Sequence, residues 1–90
     1  MREKYNTTEP ERRETMQVSV EEFVRLVVEK KPEKVFCRTH IGSFDWQTWV
    51  ISFYDGDTKV QTSFEGSAHA TPDVPPAMMD IVRRAERTGW

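Results

Sequence analysis

The clearest alternation of apolar and polar positions lies between Phe44 and Phe64, where two segments rich in aromatic and β-branched residues flank the turn sequence Asp55-Gly56-Asp57. This arrangement predicts a β-hairpin. On its first strand Trp49, Ile51 and Phe53 share one face, which is apolar enough to join a core. The opposite face carries Trp46, Thr48, Val50, Ser52 and Tyr54. That face keeps large apolar groups, so it needs a partner or a function.

A helix is predicted from Ser19 to about Lys30. Ser19-Val20-Glu21-Glu22 has the form of a capping box, in which the serine hydroxyl accepts a hydrogen bond from a backbone N–H of the first turn. Pro32 disfavours helical geometry at the residue before it, so the helix should end near Lys30. The apolar residues that recur at helical spacing and should face the core are Val20, Phe23, Val24, Val27 and Val28, with Leu26 on their flank.

A further strand is predicted from Lys34 to Ile41, followed by a turn at Gly42-Ser43. An odd number of loop residues in this turn would place Val35, Cys37 and Ile41 beside the apolar face of the hairpin, whereas an even number would turn the opposite face inward. We expect the odd loop because it buries three apolar groups rather than one.

The second strand of the hairpin should place Val60, Thr62 and Phe64 on the same apolar face. This alignment requires an even loop, either two residues (Asp55-Gly56) or four (Asp55 to Thr58). The apolar faces of the three predicted strands then agree.

A second helix is predicted to begin at Pro76, because proline suits the first helical turn. Its apolar stripe consists of Met78, Ile81, Val82 and Ala85. Arginines follow in the half where cations favour the helix dipole, and Gly89 fits a C-terminal cap. The helix is therefore expected to continue up to a cap at Gly89.

The predicted fold class is α+β: helix, three-stranded antiparallel β-meander, helix (α-β-β-β-α). Residues 1–14 contain four acidic and four basic side chains and are expected to form a flexible charged arm before a single domain of residues 15–90. The alternation of Thr15 to Val18 is too short to decide between a sheet edge and a lead into the first helix.

The double-stranded RNA-binding domain resembles this chain in element order alone. The lysine-rich start of that family's second helix would fall on residues 70–76, which contain no cation and one acid. We therefore expect no double-stranded RNA binding.

Composition narrows the range of functions. With 13 Lys and Arg against 15 Asp and Glu, the net charge of -2 provides no global attraction for nucleic acid or an anionic membrane. The single cysteine, Cys37, cannot form an internal disulfide, which favours a reducing compartment and hence the cytoplasm. No apolar run approaches the roughly 18 residues that span a bilayer, so we expect no membrane association.

Residues for metal, nucleotide or covalent chemistry are sparse. Cys37, His40 and His69 are the only cysteine and histidine side chains, whereas a structural zinc site needs about four donors. Positions 37 and 40 point to opposite faces of a strand, which also argues against a Cys-His nucleophilic pair. The four glycines stand apart and form no phosphate-binding loop. We therefore expect no metal, no cofactor and no enzymatic activity.

The sheet face opposite the predicted core, called the outward face below, is the candidate binding surface. Its residues combine types that dominate protein interfaces with types that stack on bases: Phe36, Arg38, His40, Trp46, Val50 and Tyr54. The sequence leaves three alternatives to an open surface or partner site: coverage by the N-terminal arm, coverage by the second helix, and closure on a second copy in a homodimer.

We therefore predict a small non-enzymatic protein-binding module that acts as a regulator, adaptor or stoichiometric inhibitor of a larger protein complex. A single-stranded nucleic-acid-binding protein that stacks bases on the same face is the first alternative. A small phage or plasmid accessory protein that acts on a host complex is a second, which rests only on the length of the chain.

Overall fold

The computed structural model describes residues 14–88 of the chain. The helices and strands, in chain order, are β1 (Glu14–Gln17), α1 (Val20–Lys30), β2 (Phe36–Ile41), β3 (Trp46–Asp55), β4 (Thr58–Ser67), α2 (Pro76–Arg84) and β5 (Glu86–Arg87). A short turn, Ser43–Asp45, joins β2 to β3. The strands form one five-stranded sheet in the order β1-β4-β3-β2-β5.

The predicted three-stranded antiparallel meander is wrong, because the sheet is mixed and has five strands. The central strands β2, β3 and β4 pair antiparallel. At the two edges, β1 pairs parallel with β4 and β5 pairs parallel with β2. The edge strands have four and two residues, which is too short for an alternating pattern to reveal them.

The first helix begins and ends where the sequence predicts. The backbone N–H of Glu22 donates to Ser19 Oγ at 3.1 Å, which confirms the serine cap. After Lys30, the backbone of Lys31 turns into the left-handed region, with φ 48°, and its N–H donates to the Val27 carbonyl at 2.9 Å. This capped turn ends α1 directly before Pro32.

The buried side of α1 is narrower than the predicted apolar stripe. Phe23, Leu26 and Val27 are buried, whereas Val28 is 67% exposed. The expectation that Val28 faces the core and that Leu26 only flanks it is therefore wrong. A helix that packs on a sheet buries only the side that faces the sheet. The rotation of the helix about its own axis decides which apolar residues lie on that side.

We expect Ser19→Ala to lower the free energy of unfolding by about 1 kcal/mol, because the first turn of α1 loses a side-chain acceptor. Urea denaturation followed by circular dichroism measures the change. Ser63→Ala, at an exposed serine of β4, is the matched control and should leave the midpoint unchanged. Equal midpoints for Ser19→Ala and the parent protein would contradict the role of the cap.

Both predicted loop parities are confirmed, but the expectation that Ile41 joins the core is wrong, because Ile41 lies at the end of β2 and is 56% exposed. Cys37 pairs with Ile51, and Ile51 in turn pairs with Thr62, so the three central strands share one apolar face.

For the β3-β4 turn, the two-residue alternative Asp55-Gly56 is wrong, because the turn consists of Gly56 and Asp57. Tyr54 pairs with Lys59, which is the register of the four-residue alternative, and Asp55 also pairs with Thr58. Gly56 adopts φ 63°, a left-handed conformation that glycine adopts without steric cost.

The second helix begins at Pro76 as predicted but ends earlier than expected. Ala85 follows the last helical residue, Arg84, in extended conformation (φ -71°, ψ 146°) and is buried against the core. The chain then pairs with β2 as β5. The predicted cap at Gly89 lies outside the described residues.

The hydrophobic core fills the space between the two helices and one face of the sheet. The helices contribute Phe23, Leu26, Val27, Met78, Ile81 and Val82, and the sheet and its connections contribute Val35, Cys37, Trp49, Ile51, Phe53, Val60 and Ala85. The rings of Phe23 and Phe53 meet edge to face, with their centroids 5.4 Å apart. Within residues 14–88, neither helix has the length and apolar character needed to cross a membrane.

One polar side chain lies within this core. Thr62 is fully buried, and among the described residues its Oγ1 has no hydrogen-bond partner. An unsatisfied buried hydroxyl is unfavourable by about 1 to 3 kcal/mol.

We expect Thr62→Val to raise the free energy of unfolding by about 1 to 2 kcal/mol, because valine has nearly the same shape without the hydroxyl. Thermal and urea denaturation measure the effect. Thr39→Val, at a partly exposed threonine of β2, is the control. A loss of stability in Thr62→Val would show that the hydroxyl has a partner in solution.

Candidate functional site

The outward face carries no helix within residues 14–88, because both helices pack on the opposite side against Cys37, Ile51 and Val60. The strand register places the predicted binding residues on this outward face. Phe36 lies opposite Ser52, Arg38 lies opposite Val50, and His40 lies opposite Thr48. The predicted residues therefore share a face, although they do not form one cluster.

A pocket of about 360 Å³ lies on the outward face at the end of β3 nearest the β3-β4 turn. We call it the aromatic-basic pocket, and its lining residues are Phe36, Arg38, Val50, Ser52, Tyr54, Lys59 and Thr88. Phe36 and Tyr54 meet edge to face, with ring centroids 6.3 Å apart. Its volume lies at the lower end of the roughly 300 to 1,000 Å³ typical of ligand pockets.

The charges that line this pocket are both positive. Arg38 and Lys59 contribute cations, and none of the seven lining residues carries a carboxylate. The chain as a whole has a net charge of -2, so the pocket is a local exception. A group with an apolar or aromatic part and a negative charge fits this lining.

Sequence reasoning found four of the lining residues and missed Lys59, Ser52 and Thr88. Lys59 lies directly opposite Tyr54, so the register of the hairpin could have predicted that Lys59 lines the same site. Ser52 is buried on the outward side, and its small polar side chain gives no sequence signal for a binding site. Thr88 reaches the pocket because β5 pairs with β2, and the sequence pattern had not revealed β5.

Trp46 lies far from this pocket. It begins β3, whereas Tyr54 is eight positions later, which corresponds to about 26 Å along a strand. The Trp46 Nε1–H donates to Glu65 Oε1 at 3.1 Å, and the residue is 51% exposed. His40 pairs with Thr48, so it also lies toward the Trp46 end of β3 and outside the pocket. The structure therefore groups Phe36, Arg38, Val50 and Tyr54 and separates the other two predicted residues.

The turn between β2 and β3 presents an aromatic side chain that sequence reasoning missed. Phe44 has φ 58° and Asp45 has φ 60°, and the Phe44 side chain is fully exposed. Left-handed geometry is unfavourable by roughly 1 to 2 kcal/mol for each residue with a Cβ. Nothing in the sequence signals this conformation, since glycine rather than phenylalanine is typical of it.

Three contacts hold this turn. The Gly42 N–H donates to the Trp46 carbonyl at 2.7 Å, and the Ala68 N–H donates to the Asp45 carbonyl at 2.8 Å. The Asp45 carboxylate lies 3.0 Å from His69 Nε2. The exposed ring is thus presented by a fixed backbone.

The cysteine and histidine side chains are not brought together. Cys37 is fully buried in the core, and this burial raises the pKa of its thiol, so the reactive thiolate is disfavoured. His40 is exposed on the other face, and His69 pairs with Asp45. Across residues 14–88, no three His, Cys, Asp or Glu side chains converge on a point that could hold a metal ion.

Comparison with protein-family models, with curated proteins and with solved structures gives no significant match for this chain. Its class is therefore defined by its own structure. Residues 14–88 form a small α+β domain whose mixed sheet is covered by helices on one face and has the aromatic-basic pocket on the other.

Proposed function

We propose that this protein is a small non-enzymatic protein-binding module, a regulator, adaptor or stoichiometric inhibitor of a larger protein complex, that binds through its outward face. The aromatic-basic pocket is the observation that supports this function. Tyrosine and arginine are enriched among the residues that dominate interface energies, and both line this pocket. A partner segment with an apolar side chain next to a carboxylate would match the lining.

The reducing cytoplasm is the compartment that we propose for this protein. Its one cysteine is a free thiol buried in the core, where it acts as a small apolar side chain. A chain that folds without disulfides suits that environment.

A single-stranded nucleic acid is the second candidate ligand, and one observation favours it specifically. Arg38 and Lys59 flank the paired rings of Phe36 and Tyr54, so a phosphate and a base could be bound together. Phosphate contacts dominate nucleic-acid affinity, however, and two cations in a chain of net charge -2 offer few of them. For this reason we favour a protein partner.

We expect Tyr54→Ala to weaken partner binding at least tenfold, which is about 1.4 kcal/mol, while the domain stays folded. Tagged parent and variant proteins are used for pull-down from the native cell, and the affinity for the recovered partner is then measured by calorimetry. Glu29→Ala, at an exposed position of α1, is the control and should bind as the parent does. Equal affinity of Tyr54→Ala and the parent would contradict the proposed surface.

The same proteins distinguish the nucleic-acid alternative. Fluorescence anisotropy with labelled oligothymidylate would show binding that falls steeply with salt if the second candidate is correct. The absence of such binding, together with a partner lost in Tyr54→Ala, supports the protein-binding function.

A further inference from the structure

The Phe44 side chain is a fixed apolar projection. It is fully exposed, although its backbone adopts a conformation that is unfavourable for a residue with a Cβ. The hydrogen bond from the Ala68 N–H to the Asp45 carbonyl and the contact between Asp45 and His69 hold the turn in place. An exposed ring gains no burial within its own fold, and strain of this kind is typical of functional positions.

A groove of about 580 Å³ lies between α1 and α2. Its apolar walls include Val24, Val28, Pro32 and Ile81. Val28, which is 67% exposed, is the apolar residue of α1 that the fold leaves unburied. The groove is large enough for an aromatic side chain, since pockets of this volume hold whole small molecules.

The charges around the projection and the groove are complementary. Lys31 and Arg84 line the groove, and its one acid, Asp80, is hydrogen-bonded to Arg83 at 2.8 Å. The groove therefore has a basic rim.

The residues next to Phe44 carry the opposite charge. Asp45 follows it directly, and Glu65 lies near the same end of β3, where it accepts the hydrogen bond from Trp46. An acidic projection and a basic, apolar groove are both present in one chain.

The projection cannot reach the groove of its own molecule. Lys30 Nζ lies 3.3 Å from Asp55 Oδ2, which places the C-terminal end of α1, and the groove beside it, at the end of β3. Phe44 precedes the start of that ten-residue strand, about 30 Å away along the strand direction. Any contact between the two must join different molecules.

We propose that Phe44 of one copy inserts into the α1-α2 groove of a second copy, with Asp45 near Lys31 and Arg84. The contact is heterologous, because each molecule uses a different surface from the one it meets. It therefore repeats from copy to copy and forms open chains unless its rotation closes a ring. One side chain in a groove buries far less than the roughly 1,200 to 2,000 Å² of stable interfaces, so the association is weak and depends on concentration.

Sedimentation velocity over a dilution series up to about millimolar concentration, the range of weak association, tests the proposal. The parent protein should increase in mean mass with concentration, and added salt should reduce the effect. Phe44→Ala removes the projection and Val28→Asp blocks the groove, so each variant alone should remain monomeric. Both sites are exposed, and circular dichroism verifies that each variant folds.

The mixture of the two variants gives the decisive measurement. Phe44→Ala retains a groove and Val28→Asp retains a projection, so an equal mixture should form dimers that grow no further. Ser63→Asp adds the same charge at an exposed site on β4, opposite Val50 and outside the lining of the groove, and should associate as the parent does.

Three results would overturn the proposal: a parent protein that stays monomeric throughout the series, single variants that associate as the parent does, and a mixture that remains monomeric. None of these results bears on the aromatic-basic pocket, because neither substituted residue lines it.

Discussion

Replacing Trp49 with alanine is expected to lower the free energy of unfolding by about 3 to 5 kcal/mol. Trp49 is only 8% exposed, and its ring stacks on Phe64 with centroids 5.2 Å apart. The backbone of Gly66 lies beside the ring, where an added Cβ would be 3.7 Å from Trp49 Cζ3. Alanine leaves a cavity among these groups. Small domains have about 5 to 15 kcal/mol of stability in total, so this variant should be close to unfolding.

Trp46→Ala is the matched control for that loss. It removes the same side chain from the same strand, but Trp46 is half exposed on the outward face, and we expect a change within about 1 kcal/mol. Urea denaturation followed by fluorescence compares the two variants. If both were destabilised equally, the Trp46 end of the outward face would be packed rather than open in solution, whereas the aromatic-basic pocket at the other end of β3 is tested by Tyr54→Ala.

Replacing Glu86 with proline is expected to lower the free energy of unfolding by about 2 to 3 kcal/mol, because proline cannot donate to the sheet. The Glu86 N–H donates to the Val35 carbonyl at 2.8 Å, and Val35 is buried. The variant would leave that carbonyl without its donor. Denaturation with urea measures the loss.

Two controls isolate the backbone contribution of β5. Arg87→Pro retains both donors to β2, since the N–H of Thr88 donates to the Cys37 carbonyl and that of Glu86 to Val35. Glu86→Ala removes only the exposed ion pair with Lys34, which contributes little. Both variants should remain within about 1 kcal/mol of the parent. A comparable loss in all three would show that the side chains, and not the strand pairing, stabilise this edge.

Those two sets of variants test different levels of prediction. The inward position of Trp49 follows from the sequence, because side chains alternate along a strand and Trp49 therefore lies on the same face as Ile51 and Phe53. The pairing of Glu86 with β2 has no such signal, because a two-residue strand has no period. This pairing depends on where α2 ends and on which edge strand of the sheet lies next to the residues that follow the helix.

The candidate site shows the same division. Phe36, Arg38, Val50 and Tyr54 share a face by alternation, so the sequence placed them on one surface. The sequence did not indicate that Thr88 lines the pocket, because Thr88 follows β5, which is distant in the sequence from β2 and lies beside it only in the folded sheet. It also did not separate Trp46 from Tyr54, since residues on one face of a long strand can still lie about 26 Å apart.

The sequence by itself determined the features that depend on neighbours in the chain: the serine cap and proline stop of α1, the start of α2 at Pro76, and the shared apolar face of the two hairpins. Local hydrogen bonds and side-chain periodicity control these features. The tertiary structure alone decided the parallel edge strands, the choice of Leu26 over Val28 as a core residue, and the left-handed turn at Phe44. Each of these depends on contacts between residues distant in the chain, and such contacts leave no periodic trace in the sequence.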